Sequence, residues 1–218
     1  MSTPAYEALC GLAGAEAHRL AALAANANPA TPVPTCPGWT ITALTGHVTG
    51  NLHALAGVTG SVAEAGAAFE GAMLARDPDQ PREVFGLTQP ARWWVRHAAY
   101  DLLIHRADVA LALGEPFSAD PAVAVDALDE LLELVSGPRG GADPAGALHL
   151  HATDTPGAEW LVEPSLAWRR AHEKAPTAIR GPLVDVLLVA YRRLPPSDVE
   201  VFGDSAELTR WLDRLNVG

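Results

Sequence analysis

The run ARWWVRHAAYDLLIHRADVALAL, residues 91–113, carries apolar residues at spacings of three and four without a glycine or proline, and Gly114 and Pro116 follow it. That pattern predicts one long helix with a defined C-terminal stop. Upstream, the segment holding Pro78, Pro81 and Pro90 reads as a loop. Ahead of it, a weaker helix is expected over about Val62 to Ala75. Another runs from Thr40, a suitable N-cap, through Leu44, His47 and Leu52 to about Ala56, and a first helix covers about Pro4 to Ala27. Downstream, one more spans about Pro121 to Val135. Four long helices and a short one predict an up-and-down bundle.

The stretch SGPRGGADPAGA, Ser136 to Ala147, concentrates glycine and proline and has no apolar period, which marks a domain boundary. Beyond it LHLHATD (Leu148 to Asp154) alternates, and AEWLVEPS and LAWRRAHE read as short strands. TAIRGP leads into an apolar helix from Leu183 to Arg193, DVEVFGD supplies a further strand, and SAELTRWLDRL a last helix with Ser205 as N-cap and Glu207 in its first turn. The expected fold class is therefore α+β with two domains: a helical bundle over residues 1–140 and a small α+β domain over residues 146–218.

The 218 residues are 49% hydrophobic and 19% charged, an ordinary globular balance. Acidic residues outnumber basic ones, 26 to 15, for a net charge of −11, and Lys174 is the only lysine. The densest basic spots, Arg169-Arg170 and Arg192-Arg193, are pairs rather than stripes. A nucleic-acid or anionic-membrane partner is thus not expected. Cys10 and Cys36 lie 26 residues apart with neither framework count nor metal spacing, as suits a reduced, cytoplasmic protein. The N-terminal stretch has no basic n-region, and Glu7, Glu16, His18 and Arg19 interrupt its apolar residues, so neither a signal peptide nor a membrane span is expected there.

Within the 91–113 helix, Asp101 and His105 stand one turn apart and share a face, which His97 extends by another turn. A carboxylate beside an imidazole is costly to bury unless paired or coordinated. With His47 from the second helix, they make a three-ligand set for a divalent metal that leaves positions open for water or substrate. The bland alternative is a surface Asp–His pair worth a few tenths of a kcal/mol, and for Arg106 and Asp108 an inter-helix or solvated ion pair is the default.

VPTCPGWTITALTGHV (Val33 to Val48), AYDLLIHRAD (Ala99 to Asp108), LHLHATDTPGAEWLV (Leu148 to Val162), AIRGPLVDVLLVAYRR (Ala178 to Arg193) and VFGD (Val201 to Asp204) follow one another over nearly the whole chain. Together they resemble the mycothiol-dependent maleylpyruvate isomerase family of actinobacteria, with its DinB-like bundle. The resemblance implies a divalent metal, usually zinc, held by His47, Asp101 and His105. The chain departs from the family in having Asp101 where a Glu is usual, Tyr100 where a His is common and Ala107 where a Trp is common. It also implies mycothiol as the thiol cosubstrate. Its thiolate adds to the cis double bond of maleylpyruvate, the resulting single bond rotates, and elimination gives the trans product; other relatives pass the activated thiol to electrophiles by S-transfer.

Arg180 and Arg192, in elements that match the family's C-terminal domain, are the candidates for holding an anionic acceptor, because the guanidinium fork suits carboxylates, against the plainer reading of ordinary structural or solvent-exposed arginines. Trp39 is a candidate contact for the thiol cofactor, against the plainer reading of a hydrophobic staple at the mouth of the second helix. His97 is either a substitute ligand, or a residue that supports one or simply faces solvent. The expected partners are a small-molecule thiol and an electrophilic substrate, and a homodimer is left open. A non-catalytic binding or regulatory module with a relaxed metal site and a metal-dependent hydrolase are the rival readings. Three further patterns are set aside. Cys36 reads as a buried structural thiol because no third group orients it toward a histidine. His149 and His151 share a strand face, but no carboxylate or third histidine is placed with them by sequence, so LHLHATD reads as a core strand with a polar face. PRGGADPAG lacks the flanking elements of a nucleotide loop.

Overall fold

The computed structural model describes residues 3–136 and 144–217. Most of the glycine- and proline-rich stretch proposed as the domain boundary, residues 137–143, lies outside them. The chain forms two compact units, Ser2–Phe117 and Ser118–Gly218.

The first unit is a four-helix array of α1 (Tyr6–Ala24), α2 (Ile41–Ala56), α3 (Val62–Leu74) and α4 (Ala91–Leu113). Local chemistry sets most of the ends. Thr40 caps α2 by accepting from the Ala43 N–H, Ser61 and Glu64 form a reciprocal capping box on α3, and Gly57 and Gly114 close α2 and α4 in left-handed conformation. The proline-rich segment expected to be a loop instead forms a hairpin, β1 (Pro81–Val84) and β2 (Leu87–Pro90). Phe85 and Gly86 both take positive φ, which gives a two-residue turn the twist of its strands. Pro81 and Pro90 face each other at the open end, a position that tolerates a missing N–H.

Alanine and glycine let the helices approach closely. Ala13 and Ala17 of α1 are fully buried, and a Cβ built on Gly66 of α3 would stand 2.2 Å from the Ala17 Cβ. Gly66→Ala must push α1 and α3 apart, and we expect it to lower the stability of this unit by about 1–3 kcal/mol, read from denaturant midpoints, despite alanine's better helix propensity. A polar tie joins α1 to α4: Arg106 of α4 donates through Nε to Glu16 of α1 at 2.5 Å, Glu16 is 1% exposed, and the guanidinium lies 4.4 Å from the centre of the Phe117 ring.

The second unit holds α5 (Pro121–Val135), β3 (Leu148–Ala152), β4 (Glu159–Val162), β5 (Trp168–Arg170), β6 (Thr177–Gly181), α6 (Leu183–Ala190), β7 (Glu200–Phe202) and α7 (Ser205–Arg214). The helix expected to close the bundle, α5, packs within this unit, so the division falls between Phe117 and Ser118, ahead of the proposed linker. The reason lies in its polar residues as much as its apolar ones. Asp129 accepts from the Trp160 indole N–H at 2.7 Å and from Arg170 at 2.5 Å, and α5 packs along α6. The five strands form one mixed sheet in the order β5-β4-β3-β6-β7, with β3 and β6 parallel and the other pairs antiparallel. Leu148, Leu150, Trp160, Val162 and Ile179 are buried on one face, while His149, His151, Glu159 and Arg180 share the other. α7 is capped by Asp204, which accepts from the Ala206 N–H at 2.8 Å, rather than by Ser205 as expected; the carboxylate accepts that bond from one position further out.

Candidate metal centre

The loop before α2 builds one wall of the site. Val33 and Trp39 are joined by a backbone hydrogen bond of 3.0 Å, Trp39 N–H donates to the Cys36 carbonyl at 2.9 Å, and Gly38 supplies the positive φ of 83° that the turn requires. The loop thereby delivers the Trp39 ring onto two imidazoles, with centroids 4.8 Å from His47 and 6.0 Å from His105. Trp39 is half-buried against these rings, directly before the Thr40 cap of α2.

His47, in the second turn of α2, and Asp101 and His105, one turn apart on α4, place one donor atom each within 4.8 Å of one another. His105 Nε2 is 3.5 Å from Asp101 Oδ1, and the His47 and His105 rings meet edge to face at 5.0 Å. His47 and Asp101 are half-buried and His105 is buried, so the set is open on one side. The side chain of aspartate, although shorter than glutamate, reaches the group.

Two supporting residues escaped notice in the sequence. Asn51, one turn beyond His47, donates from Nδ2 to His47 Nε2 and to Asp101 Oδ2, both at 3.1 Å, and so ties the two helices together at the donor set. Its i, i+4 relation to His47 was the available signal. Asp108, expected to be an ordinary ion-pair partner, is fully buried; its Oδ2 lies 2.9 Å from His105 Nδ1 and accepts from the Cys36 thiol at 3.3 Å. A carboxylate on one ring nitrogen fixes the tautomer and turns the other nitrogen outward, the usual support for a metal-binding histidine. Cys36 is buried as expected, yet Asp108 is the third group that the sequence did not place with it: Cys36, His105 and Asp108 also form a close group. That group is buried on every member, whereas the His47 set has the accessible side that an added ligand needs.

The electrostatics favour a cation here. Burial opposes charge on His105, but Asp101, Asp108 and Cys36 outweigh it and raise its pKa to about 11, so without a metal the imidazole is held as imidazolium. Burial likewise opposes ionised Asp101, and bonding to His105 outweighs it, leaving the carboxyl well below its usual range. Burial pushes His47 the other way, toward the neutral form, whose Nε2 accepts from Asn51. Because the His105 pKa is raised on folding, its contribution to stability is complete below about pH 6.5 and is lost as pH rises toward 11. The metal-free protein should therefore show a midpoint that falls progressively between those limits in thermal unfolding, and His105→Gln should flatten that slope.

His97 stacks on Trp93 at 5.3 Å and stands outside the close donor groups. Tyr100 and Ala107, two of the positions that depart from the family, are buried in the bundle core. Arg180 and Arg192 belong to the second unit, where exposed pairs engage them: Arg180 with Glu200 at 3.1 Å and Arg192 with Asp213 at 2.7 Å. A separate groove of about 410 Å³ lies between the N-terminal segment and α4, lined by Tyr6, Leu9, Pro78, Pro90, Trp93 and Arg96.

Fold and site thus define a two-domain protein whose helical unit presents a half-open donor set of two histidines and an aspartate. The sequence model of the mycothiol maleylpyruvate isomerase N-terminal domain matches residues 10–68, and that of the MDMPI C-terminal domain matches residues 122–210. The chain belongs to the mycothiol-dependent maleylpyruvate isomerase family. Among solved structures it is similar to a mycothiol-dependent maleylpyruvate isomerase, at 17% identity and a TM-score of 0.63 over 92% of this chain and 95% of that one. It is also similar to a histidine-to-alanine mutant of such an isomerase, at 16% identity and a TM-score of 0.64 with the same coverage. No curated protein matches the chain. No helix among the described residues is long and apolar enough to cross a membrane.

Proposed function

We propose that the chain is a metal-dependent enzyme that activates a low-molecular-weight thiol, mycothiol in keeping with its family, for cis–trans isomerisation of a maleylpyruvate-like acid or for S-transfer to an electrophile. The observation that carries this reading is the convergence of His47, Asp101 and His105 from two helices, with one side open and the His105 Nδ1 already committed to Asp108. Such a donor set suits a divalent ion, zinc above all. A bound ion of this kind supplies the positive charge that keeps a coordinating thiol deprotonated at neutral pH.

The chain's own residues prepare that chemistry. Asp108 holds the His105 ring in orientation, Asn51 aligns His47 with Asp101, and Trp39 covers the imidazoles and limits access of water. Arg180 and Arg192 are proposed as the groups that recognise the carboxylates of an acceptor. Their present partners are exposed pairs worth at most about 1 kcal/mol, so an incoming carboxylate displaces them at little cost. The cytoplasm, where a thiol cosubstrate stays reduced, is the proposed compartment, and both cysteines are free.

The test is cis-to-trans conversion of maleylpyruvate, and thiol consumption on an activated electrophile, by zinc-loaded protein with and without mycothiol. Turnover that needs both metal and thiol is expected, with chelation lowering it by at least 100-fold. Thiol-independent hydrolysis would replace this reading by a hydrolase, and less than about a tenth of an equivalent of retained zinc, unaffected by His47→Ala, by a non-catalytic module.

A further inference from the structure

The two histidines set aside in the sequence acquire in the fold the partners they lacked. His149 and His151 alternate on β3 and so project from one face, and the antiparallel register places Glu159 of β4 directly opposite His151. The segment after β5 returns His172 to the same spot. His149 Nε2, His151 Nδ1 and His172 Nδ1 lie 2.9, 3.0 and 2.7 Å from a single atom, Glu159 Oε2. The three rings stand 5.6 to 6.2 Å apart, each pair steeply inclined.

We propose that His149, His151 and Glu159, with His172 as an outer fourth ligand, form a second metal site, in the C-terminal unit, for a first-row divalent ion of the zinc class. Three imidazole nitrogens aimed at one carboxylate oxygen exceed its two lone pairs, so hydrogen bonding alone does not account for the convergence. Three nitrogens and one oxygen around a point are, by contrast, a normal donor set for zinc, cobalt or nickel. The donor atoms of His149, His151 and Glu159 already fall within 4.8 Å of one another. Ligands of a tetrahedral ion with bonds of 2.0–2.1 Å stand about 3.3 Å apart. Entry of the ion therefore needs the nitrogens to recede from Oε2 by about 0.3–0.6 Å and the imidazoles, which now surround that oxygen, to draw together around the ion, with His172 moving furthest.

Burial grades outward across the set, with side-chain exposures of 10% for His149, 16% for Glu159, 22% for His151 and 80% for His172. The inner three are held by the sheet, whereas the exposed His172 is free to yield its place to solvent. An ion here would clip β3, β4 and the chain beyond β5 together, and would do so independently of the His47 set, with which it shares no residue.

The experiment is titration of the full chain with cobalt(II), followed by its visible absorption and by zinc competition, on the wild type, His105→Ala, and the His149→Ala/His151→Ala double variant. Two equivalents are expected in the wild type. His105→Ala should keep the second, and the double variant should lose it, with at least 100-fold weaker binding. If the wild type takes up one equivalent that survives His105→Ala and vanishes in the double variant, the second site stands and the bundle site fails. Uptake unchanged by the double substitution, or no uptake at all by the wild type, overturns the proposal. Should the double variant fail to fold, Glu159→Gln keeps the shape of the sheet face: at least tenfold weaker binding of this equivalent is expected, and unchanged binding refutes the site.

Discussion

Replacing His105 by alanine should abolish metal retention and lower thiol-dependent turnover by at least 100-fold, while far-ultraviolet circular dichroism stays nearly unchanged. The side chain is the pivot of the site, since one ring nitrogen faces Asp101 and His47 and the other is bound to Asp108. Removing it takes away a ligand and leaves two acidic side chains facing each other across its former place. It removes no backbone hydrogen bond and no helix cap, and alanine is the best helix former, so α4 itself survives. His105→Gln, which keeps bulk and a donor toward Asp108 but not a metal-binding imidazole, separates the two roles. It should lose metal as fully as the alanine variant and recover part of any lost stability. Turnover retained by metal-free His105→Ala protein would remove the catalytic proposal and leave the fold intact. Metal content by atomic emission and activity in the same preparation decide the matter.

Glu16→Ala is expected to destabilise the bundle by about 3–5 kcal/mol. Glu16 is polar at a position where α1 is otherwise apolar, and its carboxylate receives Arg106 of α4 at 2.5 Å and Arg19 of its own helix at 2.5 Å. The alanine variant takes this counter-charge from the Arg106 guanidinium, which is 8% exposed and cannot shed its proton. In thermal unfolding the loss corresponds to roughly 10 °C or more for a unit of this size. Glu16→Gln, which still accepts a hydrogen bond, should lose less than the alanine variant, and Glu16→Ala combined with Arg106→Met should recover much of the loss, because a matched apolar pair avoids the desolvation cost. A single substitution that shifts the midpoint by less than about 2 °C would show that the pair contributes little.

The close grouping of His47, Asp101 and His105 was legible because a helix imposes its period on side chains: Asp101 and His105 had to share a face, and only the partner on α2 lay beyond that period. Asn51 and Asp108 were written at the same one-turn spacings, but such pairs are common on solvated helices, so spacing alone did not single them out. The hairpin of residues 81–90 was hidden for a different reason. Three prolines argue for a loop, and their tolerance depends on which strand positions face outward, which only the register reveals. α5 was misassigned to the bundle because an amphipathic stripe specifies that a face is buried, not against what. Asp129 shows the choice: its partners, Trp160 and Arg170, lie 31 and 41 residues away.

What the chain's local order determined by itself were helices, caps and the donor face of α4, all properties of neighbours within a turn, where backbone geometry transmits pattern directly to space. Tertiary structure alone decided which carboxylate met which imidazole across strands and helices. His149 and His151 became a four-group cluster only when strand register set Glu159 opposite and the β5–β6 connection carried His172 back, since pairing between distant segments is settled by collective burial and hydrogen bonding rather than by any short stretch.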